Sequence, residues 1–211
     1  MRDYLMWHDA YDDPTSDLSW RLHQVQAYIR STLDQNQGHV TILSSCAGDG
    51  RDVLQVLAER DDSLRIQTIL IELHPVLAQR AQEFAAKAGL ANVSVLTIDA
   101  GNTTAYVGSV PADLLIMKGI FGNISDADVR RTIQAAPQLC RPGAVMLWSR
   151  GTEGVGGNRS IRDWLAEAGF SELDYREFDH AEGERATLGS ARYDGPPQPL
   201  IPGQQLFTFL R

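Results

Sequence analysis

Short apolar runs alternate with amphipathic segments along most of the chain. The first run, VTILSS at residues 40–45, ends in the turn CAGDGRD, and DVLQVLAER then places apolar side chains at helical spacing. The next segments are typical of a strand at IQTILIE, a helix at HPVLAQRAQEFAAKAGL and a strand at VSVLTID. This order predicts a parallel sheet that is covered by helices on both faces.

The second half of the chain continues the alternation and then breaks it. ADLLIMK and GAVMLWS are predicted strands, DADVRRTIQAAPQL is a helix that opens after Ser125, and RSIRDWLAEAGF is another helix. After Phe170, SELDYREFD and QQLFTFLR are predicted as two strands joined by a polar connection without a helix. The predicted fold class is α/β: a doubly wound, Rossmann-like, mostly parallel seven-stranded sheet with a C-terminal antiparallel hairpin.

The first forty residues lie outside this alternation. LSWRLHQVQAYIRSTL is amphipathic and is predicted as a helix capped by Ser16 or Asp17. The preceding segment WHDAYDDP combines aromatic rings with carboxylates, and it could fold over a ligand site as a lid or simply start the helix. We predict an N-terminal helical annex at residues 1–38 and one ligand-binding domain at residues 39–211.

Composition and charge narrow the possible partners. The formal net charge of −8 and the pI near 5.0 repel nucleic acid and anionic lipid, and no Lys/Arg run offsets them, so we expect a small-molecule partner. No run is long enough to span a membrane and the N-terminus lacks a signal-peptide pattern, which predicts a cytoplasmic protein, either a monomer or a homodimer. Cys46 and Cys140 form no pair or Cys/His cluster, so no metal is expected.

The turn SSCAGDGRD after the first strand is the strongest candidate for a ligand site. In an open α/β sheet, ligands bind beyond the carboxyl ends of the strands, where this turn offers free amides. Gly48 and Gly50 allow a sharp turn and close approach of a ligand. The phosphate-loop pattern is missing, and Val53 replaces the third glycine of a dinucleotide fingerprint. S-adenosylmethionine, which has no phosphate, suits such a turn.

Carboxylates end the second and third predicted strands. Glu72 stands where such folds place a ribose-binding acid, although it could also be an ordinary solvated Glu before a helix. Asp99 could accept a hydrogen bond from an adenine amine, with Ala100 leaving room for the ring, or it could be a turn-forming residue. Because three candidate sites occur at successive strand ends, we favour the adenosine interpretation.

Over most of its length, the chain resembles the class I S-adenosylmethionine-dependent methyltransferases. The resemblance lies in the order of four motifs: ILSSCAGDG, ILIE, TIDAGN and ADLLIMKGIFGNI. Within that superfamily, the chain is similar to a bacterial group in the wording of CAGDGRDVL and GIFGNISDADV. The resemblance implies that Glu72 binds the ribose, that Asp99 binds the adenine, and that Lys118 and Gly119 line the methionine and the reacting side. The cofactor-binding residues that we predict are Ser44, Cys46, Ala47, Gly48, Gly50, Asp52, Glu72, Asp99, Ala100, Lys118 and Gly119.

Two positions depart from the pattern of that superfamily. Ser44 replaces the acidic residue that commonly ends the first strand, and Cys46 replaces the first glycine. Serine still accepts a hydrogen bond from the amine of the cofactor, but the negative charge is lost. Asp49 or Asp52 could restore that charge. For Cys46, packing against the turn is the favoured role.

The resemblance implies an enzyme that transfers a methyl group from S-adenosylmethionine to an O, N or C atom of a small-molecule acceptor. The pattern fixes no catalytic residue; the weak candidates are His8, Tyr11 and Arg150, and His180 in FDHAEGE is better interpreted as part of a solvated loop. Two alternatives stay open: a non-catalytic module that binds S-adenosylmethionine or a related nucleoside, which the change to Ser44 permits, and, less favoured, an NAD-dependent oxidoreductase.

Overall fold

The computed structural model of the protein describes residues 16–151, 157–179 and 185–210. It contains one sheet made of β1 (Val40–Ser45), β2 (Ile66–Ile71), β3 (Val93–Leu96), β4 (Ala112–Met117), β5 (Cys140–Trp148), β6 (Phe170–Asp179) and β7 (Arg185–Tyr193). The strand order is β3-β2-β1-β4-β5-β7-β6. The first five strands pair in parallel, whereas β7 runs antiparallel to both β5 and β6. The predicted fold class is therefore confirmed.

Two of the helices begin at a serine that caps them. The helices are α1 (Asp17–Gln35), α2 (Arg51–Ala58), α3 (Pro75–Lys87), α4 (Asp126–Ala135) and α5 (Gly157–Glu167). The Ser16 hydroxyl accepts a hydrogen bond from the Ser19 amide at 3.0 Å, and the Ser125 hydroxyl accepts one from the Asp128 amide at 3.1 Å. Each hydroxyl satisfies an amide that the first helical turn leaves without a partner, which is why the helices start there.

Both faces of the sheet are packed. The neighbouring residues Ile42 and Leu43 of β1 point to opposite faces, and both are fully buried. The core around Leu43 contains residues of α4 and α5, whereas the core around Ile42 contains residues of α1, α2 and α3. A strand that is buried on both faces needs apolar side chains in succession, which explains the continuous apolar runs in the sequence.

The strand order places a crevice at the carboxyl edge of the sheet. The chain builds outward from β1 to β3 and then returns to place β4 on the other side of β1. The connections after β1 and β4 therefore leave in different directions, and ligands bind at such reversals in open α/β sheets.

The helix α1 is tied to the far end of the sheet. The Tyr28 hydroxyl donates to a carboxylate oxygen of Asp174 on β6 at 2.9 Å and lies 2.7 Å from the Ser190 hydroxyl on β7. Burial, the largest cause, raises the pKa of Tyr28, so the phenol stays protonated and can donate. The division into an annex at residues 1–38 and a domain at residues 39–211 stays a prediction.

One element of the sequence prediction is wrong. QQLFTFLR is not a strand: only Gln205 makes an isolated bridge, to Asn102, and the last strand is the preceding segment RATLGSARY. The backbone of this C-terminal segment bonds to other groups. The Leu206 amide donates to the Gly101 carbonyl at 2.7 Å, and the Leu206 carbonyl accepts from the side chain of Arg131 at 3.1 Å. The segment therefore packs against loops and a helix.

Candidate functional site

The ends of β1, β2 and β4 lie side by side. In the parallel register, Ser44 stands opposite Leu70 on one side and opposite Ile116 on the other. The segments that follow these strands, which begin at Cys46, Glu72 and Lys118, therefore emerge at the same edge. The structure thus brings together the predicted motifs that the sequence keeps far apart.

The turn after β1 has a left-handed backbone at three positions. The φ angles are 52° at Cys46, 63° at Gly48 and 69° at Gly50. A Cβ atom on Gly50 would lie 2.6 Å from a methyl group of Leu70, so only glycine fits there. The Ala47 amide donates to the Ile71 carbonyl at 3.0 Å, which fixes the turn against β2. This turn delivers the chain to the start of α2.

Glu72 fixes the same turn from the end of β2. One carboxylate oxygen accepts a hydrogen bond from the Gly48 amide at 2.8 Å, and the other accepts one from the His74 amide at 2.8 Å. Glu72 is only 9% exposed. A carboxylate has about four acceptor positions, and these two bonds use two of them. Glu72 is thus a fixed carboxylate whose acceptor positions are only partly used by the protein.

Asp99 and Ala100 follow β3. A carboxylate oxygen of Asp99 accepts a hydrogen bond from the Gly101 amide at 2.8 Å, and the residue is otherwise exposed. Ala100 is buried, and its carbonyl accepts a hydrogen bond from the Tyr106 hydroxyl at 2.9 Å. The loop therefore has a fixed inner side and presents a carboxylate at its outer side.

The partly buried Cys46 lies within the electrostatic influence of these two carboxylates. Burial is the largest cause that raises the pKa of its thiol, and the negative charges of Glu72 and Asp99 raise it further. The thiol therefore stays protonated, and it packs against the core on the α4 side of the sheet. This environment suits a packing residue and disfavours a thiolate nucleophile.

The sequence left open whether Asp49 or Asp52 replaces the acid that is missing at Ser44. Asp49 forms a two-point contact with the Arg51 guanidinium at 3.1 and 2.6 Å. Asp52 is fully buried, and one of its oxygens lies 3.1 Å from the ammonium group of Lys118. Each carboxylate is therefore already paired with a cation of the chain.

Gly119, which follows β4, forms a hydrogen bond to the residue that follows β5. Its amide donates to the Ser149 hydroxyl at 3.0 Å, and its carbonyl accepts from the side-chain amide of Asn123 at 2.8 Å. The sequence analysis missed Ser149 and Asn123, although the position of Ser149 at the end of a predicted strand was a usable signal. It also missed Tyr106, for which the sequence offers no pattern.

Arg150 lies at the same edge, after β5. Its guanidinium contacts a carboxylate oxygen of Asp126 at 2.8 Å, while its other terminal nitrogen is buried without a hydrogen-bond partner. The role of Arg150 toward an acidic acceptor stays a prediction, because the contact that the structure gives is to the chain itself. His8, Tyr11 and His180 lie outside the described residues.

The described segments show neither a metal-binding cluster nor a membrane-spanning helix. Within them, no group of three His, Cys, Asp or Glu residues could hold a metal ion. None of the helices in the same segments has the length and apolar character needed to cross a membrane.

These residues fit S-adenosylmethionine in three respects. Glu72 has acceptor positions left for the ribose hydroxyls, and Asp99 presents a carboxylate to the exterior. The Ser44 hydroxyl is buried and has no hydrogen-bond partner among the described residues. A buried polar group in this position calls for a partner of its own, which a polar ligand would supply.

No family model and no curated protein matches the chain. Solved structures are similar to it. Magnesium protoporphyrin IX methyltransferase from Synechocystis with bound S-adenosylmethionine aligns with a TM-score of 0.69 and 12% identity, over 90% of this chain and 91% of that one. The same enzyme with bound S-adenosylhomocysteine aligns with a TM-score of 0.67.

Two further methyltransferases are similar. Precorrin-6y C5,15-methyltransferase from Geobacter metallireducens has a TM-score of 0.57 and 12% identity, over 80% of this chain and 87% of that one. The CurJ carbon methyltransferase has a TM-score of 0.61 and 14% identity, over 82% of this chain and 54% of that one. At these identities the similarity shows the fold, which is the one that the sequence motifs imply: that of class I S-adenosylmethionine-dependent methyltransferases.

Proposed function

We propose that this protein is an S-adenosylmethionine-dependent methyltransferase that acts on a small molecule. The observation that carries the proposal is Glu72, whose two oxygens are fixed by the Gly48 and His74 amides beside the turn after β1. A carboxylate fixed at the end of the second strand is placed to receive both ribose hydroxyls of a nucleoside. The similarity in fold to methyltransferases supports a sulfonium nucleoside as the ligand.

The residues at the edge divide the cofactor among them. Glu72 would receive the ribose hydroxyls, and Asp99 would accept from the adenine amine. Gly48 would let the ligand approach the backbone, since it presents no Cβ atom, whereas Gly50 would shape the turn, because a Cβ there would meet Leu70. The amino-acid end would lie toward Ser44 and Lys118. The cofactor would supply an electrophilic methyl group.

The chain itself would align the acceptor with that methyl group and exclude water. Gly119, Ser149 and Arg150 follow β4 and β5, on the side of the edge away from Asp99. This is where we place the acceptor. The net charge of −8 favours a neutral or cationic small molecule over nucleic acid.

A turnover assay tests this proposal. The full chain is incubated with S-adenosylmethionine and fractions of a small-molecule extract, and S-adenosylhomocysteine is quantified by mass spectrometry. We expect at least one fraction to raise its formation above the acceptor-free level, and Glu72→Ala to lower the rise by roughly tenfold or more when the cofactor is kept below saturation. Tight cofactor binding without formation of S-adenosylhomocysteine in any fraction would favour a non-catalytic binding module.

A further inference from the structure

A buried ion pair lies directly behind the turn that follows β1. Asp52, in the first turn of α2, is fully buried, and Lys118, the residue after β4, is 9% exposed. Their charged atoms are 3.1 Å apart. A carboxylate without access to water needs compensation from the protein, and the ammonium group and the start of α2 supply it.

A further buried polar group, the Ser44 hydroxyl, lies on the strand that neighbours Lys118. Ser44 stands opposite Ile116 in the register of β1 and β4, two residues before Lys118. The Ser44 hydroxyl is fully buried, and among the described residues it has no hydrogen-bond partner. Apart from the ion pair with Lys118, the two oxygens of Asp52 have no hydrogen-bond partner in the segments that the structure describes. Unsatisfied polar atoms are rare in protein interiors, and here they occur together at the carboxyl edge.

The charges of this cluster differ from what a carboxylate at position 44 would give. With Ser44 in place, the last residue pair of β1, Ser44 and Ser45, carries no charge, and Asp49 in the following turn is engaged by Arg51. The cation Lys118, two residues beyond the Ser44 partner Ile116, is 9% exposed. A ligand with an α-amino carboxylate would therefore find its carboxylate recognised by charge and its ammonium group recognised by a neutral oxygen.

We propose that Lys118 binds the carboxylate at the amino-acid end of the cofactor, with Asp52 as its fixed counter-ion and the Ser44 hydroxyl as the acceptor for the adjacent ammonium group. This assignment rests on the proposed function. Asp52 also has an electrostatic role: it neutralises the lysine, so the cation does not repel the positively charged sulfonium of the cofactor. Lys118 is then the residue that distinguishes ligands with a carboxylate from ligands without one.

A comparison of two ligands distinguishes the contact of Lys118 with the amino-acid end from the contacts that the rest of the site makes. S-adenosylhomocysteine carries the amino-acid end, whereas 5′-methylthioadenosine shares its adenosine and thioether and lacks that end. The chain has only two lysines, and Lys87, exposed at the end of α3, provides the matched control. The affinity of both ligands is measured by calorimetry for the wild type, Lys118→Met and Lys87→Met.

We expect Lys118→Met to weaken S-adenosylhomocysteine binding by roughly tenfold or more, the usual loss for a charge-assisted contact, and to leave 5′-methylthioadenosine within about twofold. Lys87→Met should change neither affinity. An unchanged ratio of the two affinities in Lys118→Met would overturn the assignment while leaving the proposed function intact. A wild type that binds neither ligand would remove the proposed function and this assignment together.

Removal of one partner from a buried ion pair can unfold a protein, since the other charge is left without compensation. The double variant Asp52→Asn/Lys118→Met removes both charges and keeps side chains of similar volume. We expect the same selective loss of S-adenosylhomocysteine affinity in this variant. Equal losses for both ligands, in a variant that melts as the wild type does, would show that the pair only supports the turn.

Discussion

Replacement of Glu72 by alanine tests the structural and the ligand-binding role of one side chain. In the structure, Glu72 receives the Gly48 amide from the turn after β1 and the His74 amide from the start of α3, both at 2.8 Å. The Ala variant leaves both amides without their acceptor. The turn and the helix start should therefore lose stability even when no ligand is present.

The magnitude follows from those two bonds. A hydrogen bond to a charged group contributes roughly 1.5–3 kcal/mol, and water that enters the vacated space recovers part of the loss, so we expect a total of about 3 kcal/mol in the free energy of unfolding. For a chain of this size, that corresponds to a fall of roughly 6–12 °C in melting temperature. Loss of the ribose contact should additionally weaken S-adenosylhomocysteine binding by roughly tenfold to a hundredfold.

Urea unfolding and calorimetry measure the two effects separately. Glu83→Ala is the matched control, because Glu83 lies exposed on α3 and accepts a hydrogen bond from Gln79 of the same helix. It should change the unfolding free energy by less than about 0.5 kcal/mol and leave binding unchanged. Glu72→Ala with wild-type stability would refute the role of its two amide bonds. Normal ligand affinity in that variant would refute the ribose contact.

Three further outcomes follow from the packing and from burial. Gly189→Ala should lower the free energy of unfolding by roughly 1–3 kcal/mol, because the added Cβ would lie 2.3 Å from the Trp148 ring. Gly38→Ala is the control, because the nearest atom to a Cβ at Gly38 is 3.4 Å away. Thermal unfolding compares the two variants, and equal melting temperatures would contradict the clash. Burial raises the pKa of the Cys140 thiol to about 12, and it raises the pKa of the Cys46 thiol as well. At pH 8, both thiols of the folded protein should therefore react with a disulfide reagent far more slowly than those of the protein unfolded in guanidinium. Rapid reaction of the folded protein would contradict this. In the unfolded chain the Cys140 thiol titrates at about pH 8.5, so the stability that its raised pKa contributes is fully present below that pH and should decline by about 1.4 kcal/mol per pH unit above it. Urea unfolding should show a shallower decline in Cys140→Ala, and identical slopes would count against this.

The sheet could be predicted because its central strands are buried on both faces. Buried pairs such as Ile42 and Leu43 make each strand a continuous apolar run, and caps such as Ser125 mark the helix starts. β7 escaped prediction because its buried residues include Thr187 and Ser190, and Gly189 lies against Trp148. Polar and small residues in a buried strand give no apolar run.

The segment QQLFTFLR was wrongly predicted as a strand for the opposite reason. Leu206 and Phe207 are buried, and the alternation of aromatic and polar residues is typical of a strand. Their amides instead donate to the Gly101 carbonyl, at 2.7 and 3.3 Å. Burial explains the apolar side chains, but sequence alone does not show where backbone hydrogen bonds go.

At the candidate site, the sequence indicated the strand-end residues but not their contacts with one another. Glu72 and Asp99 could be named because they follow apolar strands. The contact of Glu72 with Gly48 and that of Asp52 with Lys118 join distant parts of the chain, so no local pattern predicts them. Those contacts decide which carboxylates are already engaged by the protein.

The most direct test of the central claim is titration calorimetry of the full chain with S-adenosylhomocysteine, with NAD as the comparison ligand. Glu72 is the proposed acceptor for two ribose hydroxyls, and Val53 stands where a dinucleotide site would carry its third glycine. We expect saturable binding of S-adenosylhomocysteine at one site and no heat of binding for NAD. Preferential binding of NAD, or no binding of either ligand, would contradict the account.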